Sequence, residues 1–298
     1  MTTTFRTLDR SKDIEGINSF LSDAYRPDNR DGNWLQPMWD YSCYHPLTDP
    51  VAQAATGVWE ADSRIVGTAI FDLTKGNVAL CTRSEYAPLK SEMLQYVESH
   101  LGKGGQPRIN FFVHDFDTAA ADVASRAGFA RREEADKPLY GFRIPSPFPE
   151  ILVADGFLLS NLEEHNDLRR IHRLLHRGFN HSGEPPEDEL ASRKIMRASP
   201  HYRPDLTSVT VAPSGDYASY CGMWLDEANR YCYVEPVATD PDYRRLGLGS
   251  AVVLDSIRKS AEYGAELAYV WSDQAFYQAL GFTKLTTHEC WTKELTSG

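Results

Sequence analysis

Short apolar runs divide the second half of the chain into strands, and amphipathic stretches between them predict helices. The runs with strand character lie at 156–159, 206–211, 217–225, 231–237 and 267–271, with a last strand around Cys290. Asn161, with Glu164 three residues on, is a candidate N-cap for a helix that ends near Gly178. Further helices are predicted to open at Pro185-Pro186, to cover 250–263 after a glycine-rich turn, and to end near Leu280.

The first half of the chain repeats this order of elements. Its predicted strands lie at 5–8, 56–60, 65–73, 78–81 and 108–113, and its helices at 13–24, 89–101 and 118–127. Thr82-Arg-Ser-Glu-Tyr86 aligns with Thr239-Asp-Pro-Asp-Tyr243, and Ala127-Gly128-Phe129 aligns with Leu280-Gly281-Phe282, at nearly the same separation. The repeat predicts a duplicated domain. A chance similarity of two generic α/β units is the alternative.

A proline-rich segment at 144–150 lies between the two halves and reads as an extended linker. We therefore predict a first domain over residues 1–143 and a second over residues 151–298. The 298 residues suit two globular domains of about 150 residues each.

Composition and charge narrow the classes of function. The formal net charge of −11, without a basic stripe, argues against binding to nucleic acid or to an anionic membrane. The chain has no apolar run of membrane-spanning length and no signal peptide pattern. Its five cysteines are scattered without a C-x-x-C pair, which argues against disulfides and zinc and for a reducing compartment. We expect a cytoplasmic protein.

The sharpest local signal is the turn Arg244-Arg245-Leu246-Gly247-Leu248-Gly249, which follows a strand and opens a helix. The first backbone N–H groups of a helix have no intrahelical partner and lie at the positive end of its dipole. Such a turn can bind a phosphate or pyrophosphate, and the glycines let the anion approach. The pattern is neither a Rossmann fingerprint nor a P-loop. A turn that merely joins strand to helix is the alternative reading.

The wider context of this turn resembles the GNAT superfamily of acyl-CoA-dependent N-acyltransferases. Arg244, Gly247 and Gly249 occupy the fixed positions of its Arg/Gln-x-x-Gly-x-Gly/Ala motif, and Tyr277-Gln-Ala-Leu-Gly281-Phe282 meets its Tyr-x-x-x-Gly-Phe motif. The resemblance covers at least residues 155–295. It implies an α+β fold with αβα layers: two tandem GNAT-like domains, each with a mixed, mostly antiparallel sheet flanked by helices.

The resemblance also implies a set of site residues. Acetyl-CoA would be the co-substrate, and no metal is needed. The residues expected to contact CoA are Val237, Thr239, Arg244, Arg245, Leu246, Gly247, Leu248, Gly249 and Ser250. The residues expected to contact the acceptor are Phe179, Asn180 and His181. Tyr277 would donate a proton to the leaving thiolate, because a phenol stays protonated at pH 7.

Glu235 is the best candidate for a general base. Strand alternation is expected to place it on the same face as Val237 and Thr239, and partial burial would raise its pKa into a useful range. An anchor for a substrate ammonium group and a purely structural ion pair are the other readings of this carboxylate.

The first half is predicted to lack a CoA site. The internal alignment places Ala87, Lys90 and Glu92 where the second half has Arg244, Gly247 and Gly249, and Ala124 where it has Tyr277. A carboxylate and two bulky side chains on the turn would exclude a pyrophosphate by size and charge repulsion.

The sequence thus favours transfer of an acetyl group to a primary amine of a small molecule by direct attack in a ternary complex. A protein N-acetyltransferase, a CoA-binding sensor without catalysis and an interaction scaffold are the alternatives. A homodimer stays open.

Overall fold

The computed structural model describes residues 2–74, 76–103, 106–187 and 189–295. Within these ranges the strands are β1 (Thr4–Thr7), β2 (Gly57–Ala61), β3 (Arg64–Phe71), β4 (Asn77–Thr82), β5 (Arg108–His114), β6 (Ala130–Arg131), β7 (Lys137–Arg143), β8 (Leu158–Asn161), β9 (Ser208–Val211), β10 (Tyr217–Asp226), β11 (Tyr231–Thr239), β12 (Leu267–Val270) and β13 (Thr283–Glu294). The α-helices are α1 (Arg10–Ala24), α2 (Gln36–Tyr44), α3 (Pro50–Ala54), α4 (Lys90–Lys103), α5 (Thr118–Arg126), α6 (Leu168–Gly178), α7 (Glu189–Met196), α8 (Leu248–Glu262) and α9 (Ala275–Ala279). None of the described helices is long and apolar enough to cross a membrane.

All described strands join one sheet that runs through both halves. Its order is β1-β2-β3-β4-β5-β13-β7-β12-β11-β10-β9-β8, and β6 pairs with β13. Neighbouring strands are antiparallel except for β4–β5 and β11–β12, which are parallel. The mixed, mostly antiparallel sheet predicted for each half is confirmed.

The last strand of each half is exchanged at the centre of this sheet. β13 lies between β5 and β7, so the C-terminal residues 283–294 complete the strand set of the first half. β7, at the end of the first half, pairs in turn with β12 of the second half. The division at 144–150 stays a prediction, and the sheet itself is continuous across it.

Helices cover both faces of the second-half sheet. On one face, α8 packs on alternate strand residues such as Cys232 and Val234. On the other face, α6 packs on Tyr220 and Ala238. Because successive strand side chains point to opposite faces, this arrangement gives the αβα layers expected from the sequence.

A third core cluster joins the two halves. α1 and α2 of the first half pack against the strand residues Trp224, Tyr231, Tyr233 and Tyr269 of the second half. The Gln36 backbone N–H donates to the Tyr231 hydroxyl at 3.2 Å. The first half therefore covers part of the sheet face opposite α8, beside α6 on that same face.

Two local predictions need correction. α6 begins at Leu168 and is capped by Asp167, whose carboxylate accepts the N–H groups of residues 169 and 170. Asn161 instead ends β8, and its side-chain oxygen accepts the N–H groups of Glu163 and Glu164 in a turn. Asn and Asp bond the backbone in the same way in a turn and at a cap, which explains the misplaced start. α2 was not predicted.

Candidate active site

The glycine-rich turn leaves the N-terminus of α8 open. The helix begins at Leu248, and no side chain of the described residues caps it. Its first intrahelical hydrogen bond runs from the Ala251 N–H to the Gly247 carbonyl at 3.0 Å. The N–H groups of residues 248–250 therefore have no partner within the helix. Gly247 has a φ of +77°, and the position of a Cβ there meets only open space.

β11 offers a free edge beside this turn. β11 and β12 pair only through residues 231–233 and 267–269, and beyond them the two strands separate. The Asp240 N–H donates to the Ala218 carbonyl of β10 at 3.0 Å. By antiparallel alternation, the backbone groups of Val237 and Thr239 point away from β10 and into the gap.

One cavity of about 580 Å³ connects the turn, the free edge and α9. It brings together most residues that the sequence analysis assigned to CoA, and Phe179, Asn180 and Tyr277 line it as well. The CoA candidates in its wall are Val237, Thr239, Arg244, Arg245, Gly247, Leu248, Gly249 and Ser250.

Three predicted site residues do not line this cavity: Leu246, His181 and Glu235. Leu246 points to solvent with 46% of its surface exposed. His181 lines a separate depression of about 300 Å³ together with Arg177 and Glu184.

Arg244 holds the cavity wall together. Its guanidinium donates to the Thr239 carbonyl at 3.2 Å, to the Gly178 carbonyl at 2.9 Å and to the Asn180 side-chain oxygen at 2.9 Å. Gly178 also brings the end of α6 close to β11, since a Cβ there would lie 2.7 Å from the Ala238 Cβ. The arginine thus fixes the end of α6 to the turn.

Tyr277 stands at the inner end of the cavity with only 7% of its surface exposed. Its ring packs edge-on against Phe276 and Phe282 at centroid distances of 5.0 and 5.6 Å. Burial raises the pKa of Tyr277, and the nearby Glu235 carboxylate and Cys221 thiol raise it further. The phenol is therefore protonated at neutral pH.

Glu235 lies on the opposite face of β11 from the one expected. The register changes between Cys221, which faces Val237, and Met223, which faces Val234, so β11 carries an extra residue there. Val234 and Val237 both pack on the α8 side of the sheet. Glu235 therefore shares the other face with Tyr233, and the predicted common face with Val237 and Thr239 is wrong, because the bulge shifts the alternation by one residue.

The first half of the chain completes the surroundings of Glu235. Tyr41 of α2 packs edge-on against Trp224 at 6.0 Å, and the Trp224 indole donates to the Glu235 carbonyl at 2.9 Å. Burial raises the pKa of Glu235 to about 7, while the nearby Tyr41 hydroxyl acts to lower it. Tyr41 was missed by the sequence analysis because α2 was missed.

The corresponding turn of the first half is closed. Lys90 is buried at the start of α4 and pairs with Asp117 at 2.6 Å. Glu92 accepts the Trp59 indole N–H at 2.8 Å. The protein's own side chains thus occupy the position that corresponds to the open α8 turn.

The edge of β4, which corresponds to the free edge of β11, is hydrogen-bonded to another part of the first half. Thr82 aligns with Thr239, and its N–H donates to the Asn33 side-chain oxygen at 2.8 Å. The Asn33 amide donates back to the Thr82 carbonyl at 3.1 Å. One buried amide therefore satisfies the backbone groups whose counterparts at Thr239 line the cavity.

Comparison with known proteins identifies the fold. Residues 168–282 match the model of the acetyltransferase (GNAT) family, which confirms the resemblance drawn from the two motifs. No curated protein matches the chain.

Solved structures extend the similarity to the whole chain. A tandem GNAT protein from the clavulanic acid biosynthesis pathway is 14% identical with a TM-score of 0.67, and the alignment covers 100% of both chains. A GCN5-related N-acetyltransferase from Sphaerobacter thermophilus is 13% identical with a TM-score of 0.61, covering 99% of this chain and 96% of that one. N-myristoyltransferase from Saccharomyces cerevisiae, solved with bound myristoyl-CoA, is 10% identical with a TM-score of 0.59, covering 97% and 78%. The chain has the tandem GNAT fold.

Proposed function

From the GNAT family match at residues 168–282 and the tandem GNAT fold of the whole chain, we propose that this protein is an acetyl-CoA-dependent N-acetyltransferase. It transfers the acetyl group to a primary amine of a small molecule by direct attack in a ternary complex. The second half of the chain carries the reaction, and the first half has no CoA site.

The observation that carries the proposal is the cavity between the α8 turn and the free edge of β11. The unpaired N–H groups at residues 248–250 suit the pyrophosphate of CoA. The backbone groups of Val237 and the N–H of Thr239 suit the amide groups of the pantetheine arm, which can pair with them as an added strand does. Gly247 leaves room for the anion, because a side chain at this position would extend into the opening.

Two side chains supply the proton transfers of this mechanism. Tyr277 is protonated and buried, so it can donate to the sulfur as the thiolate leaves. Glu235 has a pKa of about 7, so it can accept the proton that the attacking amine loses, or hold the ammonium group before attack. The bulge directs Glu235 to the face covered by α2 and α6, which is the side from which the amine would arrive.

Calorimetric titration with acetyl-CoA tests the site. The wild-type protein should bind one acetyl-CoA per chain. Gly247→Glu should weaken binding about 100-fold or more, because it places a carboxylate where the pyrophosphate belongs.

Gly264→Glu is the matched control for this variant. Gly264 lies just beyond the other end of α8, has a φ of +92° and likewise has open space at its Cβ position. It introduces the same charge and the same backbone strain away from the cavity, so its acetyl-CoA affinity should equal that of the wild type. Folded wild-type protein that binds no acetyl-CoA would overturn the proposal and favour a scaffold.

Release of free CoA thiol separates an enzyme from a sensor. With acetyl-CoA and a panel of amines, the enzyme should release thiol at a rate that depends on the amine, and a sensor should not. Peptides with free N-termini or lysines in the same panel test the protein-acceptor alternative. A parallel series of acyl-CoA chain lengths, up to the myristoyl-CoA bound by the yeast relative, tests the preference for acetyl.

A further inference from the structure

Two arginines on the sheet face that Glu235 shares have no carboxylate partner within 4.0 Å among the described residues. Four other arginines on α6 each pair with an acidic side chain: Arg169, Arg170, Arg173 and Arg177. Arg193 on α7 and Arg197 just after it have no Asp or Glu oxygen within 4.0 Å in the described part of the chain. Both side chains are half-buried.

The Arg193 guanidinium lies in the layer between the two halves. Its Nε donates to the His172 Nδ1 at 3.2 Å, which ties it to α6. Tyr41 and Tyr220 face its charge, and so does His45, the residue that follows α2. Burial lowers the pKa of Arg193, although it stays a cation. The Glu189 carboxylate, one turn earlier on α7, also acts on this charge. Among the described residues no carboxylate forms a direct ion pair with the guanidinium within 4.0 Å.

Arg197 lies one turn further along the same side. One of its terminal nitrogens is buried without a hydrogen-bond partner among the described residues. Its charge faces the hydroxyl groups of Tyr202 and Tyr220. Burial of an unpaired charge or donor costs free energy unless a ligand completes it.

Both arginines lie on the face of the sheet that Glu235 shares. Met196, between them in the sequence, packs into the core cluster that contains Trp224 and Tyr233. Tyr41 lies close enough to both Glu235 and Arg193 for the charge of each to act on its hydroxyl. The α8 turn and its unpaired N–H groups lie on the opposite face of the sheet. The two arginines are therefore not part of the proposed CoA site.

We infer that Arg193 and Arg197 bind a carboxylate of the acceptor, so that the substrate is an amine that also carries a carboxylate. The guanidinium fork holds the carboxylate between α7 and α2 while the amine lies beside Glu235. This inference rests on the proposed acetyltransferase function. It gives the first half a part in substrate recognition, because α2 forms one wall of the region.

Matched pairs of acceptors test the inference. β-Alanine and 4-aminobutanoate, together with the common α-amino acids, are compared with their primary amides, which keep the amine and lose the charge. Thiol release should show a kcat/KM at least about tenfold higher for the best carboxylate than for its amide, as expected for a charge-assisted pair. Arg193→Met should remove this preference, mainly through KM, and leave the amides nearly unchanged.

Lys194→Met is the matched control, because Lys194 is the next residue of α7 and its side chain is exposed to solvent. It removes the same charge from the same helix and should keep the carboxylate preference. Acetyl-CoA affinity, measured by calorimetry, should be equal in the wild type and both variants.

Three outcomes would overturn the inference. They are equal kcat/KM values for carboxylates and amides, an equal loss for both acceptor types in Arg193→Met, and a loss of acetyl-CoA affinity in that variant, which would assign the arginine to CoA. The failure of all acceptors despite bound acetyl-CoA would contradict the proposed function as well, and the inference would fall with it.

Discussion

Glu235 brings a carboxylate into the layer between β11 and α2, where burial raises its pKa to about 7. The titratable groups that face it are Tyr41 from α2, Tyr233 from its own strand, Cys221 from β10 and Tyr277 from α9. None of these carries a charge near pH 7. The protonation of Glu235 is therefore set by burial and by the Tyr41 hydroxyl rather than by an ion pair.

The pH profile should report this carboxylate. A base must be deprotonated to act, so kcat/KM should rise through an apparent pKa of about 7. Tyr41→Phe removes the hydroxyl that lowers the pKa of Glu235 and keeps the ring contact with Trp224. The rise should therefore move to higher pH, and activity at pH 7 should fall about two- to tenfold. The measurement is the pH dependence of kcat/KM for both proteins with one acceptor.

Glu235→Gln is the control for assigning the rise to this group. The acceptor amine also loses a proton with increasing pH, and it contributes equally in every variant. If the rise near pH 7 persists in Glu235→Gln, it belongs to the amine, and Glu235 is an anchor or a structural residue.

For single residues, the sequence was informative where a short motif defines the position. Gly247, Gly249 and Tyr277 sit in motifs that short-range spacing defines, and the structure places all three in one cavity. The face of Glu235 depends on a bulge opposite Gly222, where a Cβ would lie 2.4 Å from the Glu235 carbonyl oxygen. That contact joins two strands, and no pattern within β11 alone shows it.

Among the elements, α8 and α4 occupy equivalent positions in the two halves, but their N-terminal ends differ. α8 begins after a glycine with free N–H groups, whereas α4 continues directly from the short 3-10 helix Ser84–Leu89. Asn33 completes the closure at the edge of β4.

Asn33 should matter for stability and not for acetyl-CoA binding. Asn33→Ala leaves the Thr82 N–H and C=O groups buried without partners, so the free energy of unfolding should fall by about 2–4 kcal/mol. Urea titration measures this loss. Asn161→Ala, which removes an amide from an exposed turn, should cost at most about 1 kcal/mol.

Calorimetry on Asn33→Ala gives the second part of this test. The protein should still bind one acetyl-CoA per chain with wild-type affinity. A second site in this variant would show that Asn33 alone closes the first half, against the roles assigned to Lys90 and Glu92.

α2 is the element that the sequence could have revealed. The apolar pair Trp34-Leu35, just before the helix, and the pair Met38-Trp39 within it lie four residues apart, and Cys43 follows Trp39 after another four, which is helical spacing. The helix is buried nearly all round, because α1 covers one side and the second-half strands cover another. A helix without a polar stripe lacks the clear alternation that marks an amphipathic one.

At the scale of the whole molecule, the exchange of β7 and β13 makes each half depend on the other. β13 pairs with β5 along seven residue positions, from His288–His114 to Glu294–Arg108. Without it, β5 would be an unpaired strand edge with an apolar face. The two halves therefore share one continuous sheet.

Separate halves should consequently fail to fold. Fragments of residues 1–143 and 151–298, expressed alone, should show no cooperative urea transition, because each lacks one central strand. Expressed together they should form a one-to-one complex that unfolds cooperatively. Circular dichroism and sedimentation measure both properties. A folded, monomeric 1–143 fragment would contradict the dependence and support two independent domains.

The order of strands was beyond the sequence patterns for a physical reason. Alternation defines a strand and its faces, but it does not define which strand lies beside it. β13 was predicted as the last strand of the second half, and its neighbours are set by contacts as far apart as Thr292 and Asn110, 182 positions along the chain. The duplication itself was visible because it repeats local features in a fixed order.

The position of β13 also determines when the sheet can be completed during protein synthesis. Asp115 and its partner Thr286 are 171 residues apart, and a ribosome adding about 5–20 residues per second needs roughly 10–30 s to make that stretch. During this interval the nascent first half carries β5 with one side unpaired. Strands β1–β5 and β8–β12 are each made from the outer edge of the sheet inward, and β13, at the centre, is made after all the other described strands.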